Sequence, residues 1–581
     1  MMQAQELHAP IEPGLDLFYR AWPDANAKRA VILVHRGHEH SGRLVDVVEE
    51  LNLTDTAIFA WDARGHGRSP GDRGYAPSFG RIVKDLDVFV RHISQTHHIP
   101  LQNIIVLGHS VGAVTVASWV HDYAPPIRAM VLVTPALKVK LYVPFAKTGL
   151  KILQAIRGDK KTYVQSYVKS TMLTHDAAQA QRYANDPLIT KAIAVNVLLD
   201  LYETSARLVD DAGAIRVPAL VLCGADDWVV DVGAQEKFFE NLGSTHKKMR
   251  LFAGMYHDLL HEADRTSVLD EIRTFIDDAF ARDETREPLL HADEEGYTKS
   301  EVDRLMQPAP VLKNLAFAAQ RLSLRTLGKL SRGIRVGWET GFDSGRSLDY
   351  VYENEARGEY GVGKLIDRVY LESIGWRGIR QRKLNLEKLL RDAMQRVRAE
   401  GKEVRILDVA TGCGRYVLDA MAADGDPKVT AYLRDFTPGN VEQGKGIAQE
   451  MGLSDRVRFE QGDAFDEENL AAITPAPTVA IVSGLYELFG DNDMVLASLR
   501  GIAKSMKEGG YLVYTGQPWH PQIEMIARVL PNRDGKPWIM RRRTQEELDE
   551  LVQSVGFGKV DMEIDKHGIF TVSLAQVLVA G

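Results

Sequence analysis

The chain has little cysteine: two residues, Cys223 and Cys413, among 581. Neither has a CxxC partner, which excludes a disulfide framework and a thiolate metal site and leaves both as packed thiols. No metal is expected. No apolar run reaches the about 18 residues needed to span a bilayer. The opening MMQAQELHAP lacks the basic end and apolar stretch of a secretory signal, so a cytoplasmic protein is expected. There is no excess of positive charge either: 71 basic residues face 79 acidic ones, a net −8, which speaks against a general nucleic-acid binder. Internal repeats and low-complexity tracts are also missing. What is present, 45% hydrophobic and 26% charged residues, is ordinary for a soluble globular protein. At roughly 150 residues per domain, one core cannot hold this length.

Two stretches alternate short apolar runs with helical patterns, the signature of mostly parallel sheets covered by helices. The first carries AVILVH, AIFAWD, NIIVLGHS, AMVLVTPAL, ALVLCGADD and MRLFAG between about residues 30 and 275. From Leu137 to Arg216 its strand signals stop and long helical patterns take over, implying an inserted helical cap at about 138–215. The acidic stretch DETREPLLHADEEGYTKSE, with few apolar positions, reads as a linker over 283–310. Helical segments follow over 311–403. The second alternation, RILDVA, VTAYLRD, VRFEQGD, TVAIVSG and YLVYTG, fills 404–581 and ends in a closely spaced pair that suggests an antiparallel hairpin at the sheet edge.

In the first stretch, strand NIIVL runs into Gly108-His109-Ser110-Val111-Gly112 and then a helical pattern. GxSxG between strand and helix is a nucleophile elbow, where small flanks permit a tight turn that exposes the serine hydroxyl. An acid after a late strand and then a histidine complete the chain order of such hydrolases. Asp226 and Asp227 follow ALVLC, and His257 follows MRLF. Ser110 would attack a carbonyl, His257 would carry its proton to the leaving alcohol, and one of the two acids would orient the imidazole. His109, His121 and His261 read as packed histidines. These residues, with HRGHEHSGR, WDARGHGRS, LTHDAAQAQRYANDPLI, GADDWVVD and MYHDLLHE, resemble the monoacylglycerol lipase and lysophospholipase branch of the α/β hydrolases over about 10–280. The resemblance implies Ser110, Asp227 and His257 as triad, and Gly37 and Val111 N–H groups as oxyanion donors. Arg36 stands where that family usually has glycine. It would strain a turn that needs positive φ, point outward, or recognise a substrate phosphate or carboxylate.

In the second stretch, strand RIL leads to Asp408-Val409-Ala410-Thr411-Gly412-Cys413-Gly414 and a helix, and the next strand ends in Asp435. Glycines at a strand-to-helix turn with a later acid suit an adenosyl ligand, in a dehydrogenase or a methyltransferase. The DxxTGCG loop, DFTP, QGDAF and the terminal strand pair resemble class I S-adenosylmethionine methyltransferases, with Ala410 in place of a usual glycine. The resemblance implies Asp408, Gly412 and Gly414 around the methionine part, Asp435 accepting from two ribose hydroxyls, and Asp463 and Ala464 near the adenine.

Tyr486 and Glu487 follow the fourth strand, and Gln517 to His520 follow the fifth. Tyr486, Glu487 and His520 are therefore candidates for an acceptor site, with Glu487 or His520 as general base. GFDSGRSLDYVYENEARG and LESIGWRGIRQRK would form a helical lid over it. The expectation is an α/β protein: an α/β-hydrolase fold with a helical cap, then a Rossmann-like class I methyltransferase fold, similar to bacterial hydrolase and methyltransferase fusions. It would hydrolyse an acylglycerol or lysophospholipid ester and use S-adenosyl-L-methionine. Two alternatives stand beside this: one half is a binding module for a lipid or partner, or the halves methylate and demethylate one carboxyl group. Finally, Val311 to Trp338 places Arg321, Arg325, Lys329, Arg332 and Arg335 on one side of a continuous helix and Leu312, Leu315, Ala319, Leu327, Leu330 and Ile334 on the other. Such a helix either lies on an anionic membrane or packs its apolar face on a domain.

Overall fold

A computed structural model describes residues 4–24, 26–140, 142, 146–158, 161–282, 286–506 and 509–578. The chain divides into two units, Met1–Arg286 and Glu287–Gly581.

The first unit holds β1 (Gln5–Glu12), β2 (Leu15–Trp22), β3 (Arg29–Val34), β4 (Thr56–Trp61), β5 (Ile104–His109), β6 (Ala129–Val133), β7 (Tyr163–Gln165), β8 (Ala192–Ala194), β9 (Ala219–Gly224) and β10 (Lys247–Phe252). Eight of them form one sheet in the order β1-β2-β4-β3-β5-β6-β9-β10. From β4 to β10 the pairing is parallel. β4, β5, β6 and β9 are buried at every position, which is why they read as unbroken apolar runs. The antiparallel entry formed by β1 and β2 carries more polar residues and gave no run to notice. The cap contains the helices Ala146–Arg157, Ala177–Asn185 and Val195–Asp210. It also holds the short antiparallel pair β7 and β8, where only helices are expected from the sequence. Residues 141 and 143–145 of the cap stretch lie outside the described residues.

The second unit carries β11 (Arg405–Asp408), β12 (Thr430–Asp435), β13 (Val457–Gln461), β14 (Val479–Val482), β15 (Tyr511–Gly516), β16 (Phe557–Ile564) and β17 (Thr571–Val577) in the order β13-β12-β11-β14-β15-β17-β16. The first five are parallel. β17 runs antiparallel between β15 and β16, the terminal hairpin at the edge.

The acidic stretch is not a free linker. Asp293 Oδ2 accepts from Asn492 N–H at 2.7 Å, and Leu290 O accepts from Asn492 Nδ2 at 3.0 Å. The helix Tyr297–Met306 buries Thr298, Val302 and Leu305. From Glu287 the stretch is therefore part of the second unit; its residues 283–285 lie outside the described residues. Its few apolar side chains fall on one helical face, a pattern hidden by the surrounding charge.

The basic segment is also not one helix. It forms Val311–Thr326, a short turn of 3-10 helix Leu327–Leu330, and Arg332–Thr340. Ile334 is buried while Leu312, Leu315, Leu322 and Leu327 are exposed, so most of the apolar face of the first helix is turned to solvent rather than packed.

Candidate active sites

In the first unit the chain leaves β5 and reverses at Ser110, whose φ of 56° and ψ of −112° lie outside the regions L residues favour. The turn closes because both flanks are glycine. A Cβ at Gly108 would stand 2.6 Å from Ala113 Cα, and one at Gly112 2.4 Å from His35 O. The strained turn aims Ser110 Oγ at His257 Nε2, 2.8 Å away, and His257 Nδ1 stands 2.7 Å from Asp227 Oδ2. All three side chains are buried. Asp227 Oδ1 accepts from the N–H groups of Val229 and Val230 at 2.6 and 2.9 Å. Burial opposes a charge on Asp227, but His257 and these donors outweigh it and hold the carboxyl below its usual range. With Asp227 accepting, Nδ1 carries the imidazole proton and the Nε2 lone pair faces the serine hydroxyl. That arrangement can take the hydroxyl proton. Asp226, the other acid left open by the residue pattern, is exposed.

Gly37 and Val111 are neighbours: a Cβ on Gly37 would stand 3.1 Å from Val111 Cγ2. Arg36 matches none of the three roles considered for it. It is not among the positive-φ residues, which on this loop include His38 instead. Nor does it point outward. Its guanidinium is buried, donates to Glu39 Oε1 at 2.9 Å, lies 3.5 Å from Asp258 Oδ2 and covers the Tyr183 ring. Arg43 reaches the same Glu39 oxygen at 3.3 Å.

His261 closes this cluster, donating from Nδ1 to Asp258 Oδ1 at 2.8 Å and from Nε2 to Arg43 O at 2.7 Å. Two acceptors require two N–H groups, hence an imidazolium. Burial would lower its pKa, but Asp258 and Asp46 overcome that and push it up to about 10. His261 is therefore a buried cation, not merely a packed ring. His121 is a second such ring, buried and bridging Asp122 and Asp211 at 2.7 and 2.8 Å; burial opposes its charge, but the two carboxylates raise its pKa above the usual value. His109 is buried and lies 3.4 Å from His257 O.

In the second unit a cavity of about 340 Å³ opens at the carboxyl ends of β11 to β14. It is lined by Gly412 and Gly414, by Asp435, by Asp463 and Ala464, and by Ser483. Such an edge is where open α/β sheets bind ligands. Gly412 has φ 58°, and nothing lies within 4 Å of where its Cβ would be, so a ligand can approach the backbone there. Asp435 holds the site together: Oδ2 accepts from Gly412 N–H at 2.8 Å, and Oδ1 from Thr437 N–H and Asn440 Nδ2, both at 2.9 Å. Of about four lone-pair sites on a carboxylate, these leave one, enough for a single ribose hydroxyl rather than two. An exposed Phe436 follows it along the same wall. An acid at the ribose position, an open glycine turn and an exposed ring suit an adenosyl ligand. Ala410 is not among the positive-φ residues, so the usual glycine is not required there.

Two expected contacts fail. Asp408 is fully buried beneath the loop and does not line the cavity. It accepts from Tyr416 OH at 2.7 Å and Ala410 N–H at 3.2 Å, while burial pushes its carboxyl up to about 7. Tyr486 turns into the core, where its hydroxyl meets Ser498 Oγ at 3.1 Å. Glu487, His520 and Gln517 do share a second cavity, of about 300 Å³. Part of its wall comes from the two stretches expected to form a lid, through Phe342, Trp376 and Ile379, and the rest chiefly from the segments between Gly484 and Phe570. Arg382, which lines both cavities, carried no signal in the sequence beyond its place in a basic run.

Comparison with known proteins agrees with two different halves. Residues 25–264 match the family described as "Serine aminopeptidase, S33", and residues 272–577 the family described as "Putative methyltransferase". The uncharacterized protein YnbC of Escherichia coli (strain K12) is 50% identical over 566 residues, covering 96% of each chain. A monoacylglycerol lipase of Mycolicibacterium smegmatis is 26% identical over 270 residues, 45% of this chain and 93% of that one. The crystal structure of Paleococcus ferrophilus monoacylglycerol lipase aligns with 25% identity and a TM-score of 0.42, covering 45% of this chain and 99% of that one. The second family match begins well before β11, consistent with the helices from Glu287 onward belonging to the second unit.

Proposed function

The chain belongs to the family of two-part proteins that includes YnbC, a monoacylglycerol lipase-like hydrolase unit followed by a methyltransferase unit, and from that premise we propose that both units are catalytic. The first is a serine ester hydrolase for acylglycerols or lysophospholipids. The observation that carries this reading is the unbroken line Ser110, His257, Asp227 at 2.8 and 2.7 Å. Ser110 Oγ attacks the ester carbonyl as His257 takes its proton. The oxyanion is held by the N–H groups of Gly37 and Val111, and His257 returns the proton to the leaving alcohol. Water then releases the acyl group by the same path. Loading the full chain with a fluorophosphonate probe tests it: labelling should fall on Ser110 and be blocked by a monoacylglycerol. Labelling elsewhere would end this assignment.

The second unit is an S-adenosylmethionine-dependent methyltransferase. Asp435 and the Gly412 turn would hold the ribose and the methionine end, with Asp463 and Ala464 beside the adenine. Bound there, the cofactor supplies an electrophilic methyl group. Calorimetry with S-adenosylmethionine and with NADH separates this from a dehydrogenase, since only the first should bind.

The solvent-facing Leu312, Leu315 and Leu322 favour a further element, peripheral contact of the helix Val311–Thr326 with a membrane carrying anionic lipid. No helix among the described residues is long and apolar enough to cross one.

A further inference from the structure

The second cavity adjoins the first, sharing Asp343, Leu348, Arg382, Gly484 and Leu488 with it. Its wall is largely apolar, built from Phe342, Trp376, Ile379, Trp538 and Phe570 among others. Polar side chains that line it and are more than nine-tenths buried include Glu487, 7% exposed, Gln517, 4%, and His520, 5%, with Asp343 and Arg382 where the two cavities join. Their bonding is incomplete in a specific way. Glu487 Oε1 accepts from Arg382 Nη1 at 3.1 Å, while Oε2 has no partner. Gln517 Nε2 also has none. His520 Nδ1 accepts from Gln522 N–H at 3.0 Å, so the ring proton sits on Nε2. Burial pushes the His520 pKa down to about 4, so the ring is neutral around neutral pH and its accepting nitrogen is already used. Of the two bases the sequence offered, His520 is therefore a donor, and Glu487 alone retains a free acceptor.

The chamber thus offers the free Glu487 oxygen and the His520 and Gln517 N–H donors in a largely apolar box; Trp538 Nε1–H, also without a partner, lines the same box, and Asp343 Oδ1 is unpartnered where the two cavities meet. Buried polar groups of this kind are costly until a ligand satisfies them. A hydroxyl meets the acceptor and one donor at once: its O–H donates to Glu487, one lone pair accepts from His520 or Gln517, and the other remains to attack a methyl group. An amine nitrogen has a single lone pair and cannot both accept and attack. A carboxylate would set a second negative charge beside Glu487, whose cationic partner is already engaged.

We propose that this chamber takes a lipophilic alcohol or phenol and that Glu487 receives the hydroxyl proton as the oxygen is methylated. The proposal rests on reading the adjoining cavity as the S-adenosylmethionine site. The oxygen lone pair forms the O–CH₃ bond while the S–CH₃ bond breaks. Its electron pair returns to sulfur, neutralising the sulfonium, and the proton passes to the Glu487 carboxylate and then to solvent. The products are a methyl ether and the thioether form of the cofactor.

The experiment uses the full chain and four probes: para-nonylphenol, dodecanol, dodecylamine and dodecanoic acid. Each is offered with methyl-labelled S-adenosylmethionine, and its binding is measured separately by calorimetry with S-adenosylhomocysteine present. The expected result is ether formation from the phenol, the alcohol or both, the two arms telling an aromatic from an aliphatic acceptor. Binding of a para-alkylphenol series should tighten about fourfold per methylene until the box is full. Glu487→Gln should slow transfer to para-nonylphenol by about a hundredfold to a thousandfold. It should not slow transfer to an alkylated nitrophenol, partly ionised at neutral pH, because the phenolate needs no proton acceptor and is repelled by the native carboxylate. Transfer to the amine or acid instead of the hydroxyl probes overturns the proposal. So does a chain that binds S-adenosylmethionine but neither binds nor methylates any hydroxyl probe. If S-adenosylmethionine itself does not bind, the cofactor reading fails first and takes the proposal with it.

Discussion

The groups proposed to act in the first unit are already bonded to one another, whereas those in the second face cavities with bonding capacity to spare. Ser110, His257 and Asp227 form a closed line whose far end is tied to Val229 and Val230 N–H. Glu487 and Gln517 each keep a buried atom without a partner. A hydrolytic site can be complete before substrate arrives, because its proton path is internal. A methyl-transfer site has no internal path: the second unit supplies position and a proton acceptor, and the incoming oxygen completes the network.

The most direct way to break the closed line is Ser110→Ala, which should lower kcat on a monoacylglycerol by more than about ten-thousandfold while leaving S-adenosylmethionine binding unchanged. Steady-state hydrolysis and calorimetry on the same preparation check both halves. Exchanging the two neighbouring acids sharpens the comparison. Asp227→Asn should cost about ten-thousandfold in kcat and the exposed Asp226→Asn almost nothing; a larger loss at Asp226 would reverse the assignment.

Beneath the closed line, Arg36→Gly, the residue usual in similar hydrolases, should destabilise the first unit by about 3–5 kcal/mol in urea unfolding, because Glu39 and Asp258 would lose a buried partner. The same cluster predicts a pH effect. The His261 pKa is raised from 6.5 to about 10 in the folded chain. Its stabilisation is therefore complete below pH 6.5 and is lost as pH rises toward 10, so the unfolding midpoint should decline across that window.

On the open side, Asp435→Ala should weaken S-adenosylmethionine binding about tenfold to a hundredfold in calorimetry, partly by releasing the Gly412 turn. The smallest effect concerns the exposed helix. Lys313 pairs with Glu524, Arg321 donates to Arg528 O and Arg325 stacks on Trp338, so these cations are drawn to the unit itself. Vesicle co-sedimentation should then depend more on Leu312, Leu315 and Leu322, changed together to Ser, than on the same three cations changed to Gln.

This contrast also explains what the sequence made legible. The elbow, the late acid and the late histidine each sit one turn beyond an apolar strand, so chain order alone gathers Ser110, Asp227 and His257. The acceptor chamber draws Phe342, Trp376, Arg382, Glu487, His520 and Phe570 from widely separated stretches. No local period marks such a convergence, and Tyr486 could not be told from Glu487 because adjacent residues at a strand end differ only in direction. Arg36 misled for a related reason. Its partners Glu39 and Asp258 stand 3 and 222 residues further on, and no local pattern joins the three.

The Arg36 cluster also bears on how this chain can change over time. Glu39, Arg43, Asp258 and His261 are buried with it; the three cations face Glu39 and Asp258 within the group, and Asp46, 3.7 Å from His261, supplies a third carboxylate. A single replacement strands an opposite charge in a medium that solvates it poorly, while a wholly apolar cluster of similar shape could be as stable. Intermediates between those two states are the least stable of all. A lineage that acquired arginine here would find the step back to glycine closed unless several positions changed together, and descendants should keep the five residues as a block or replace them as a block.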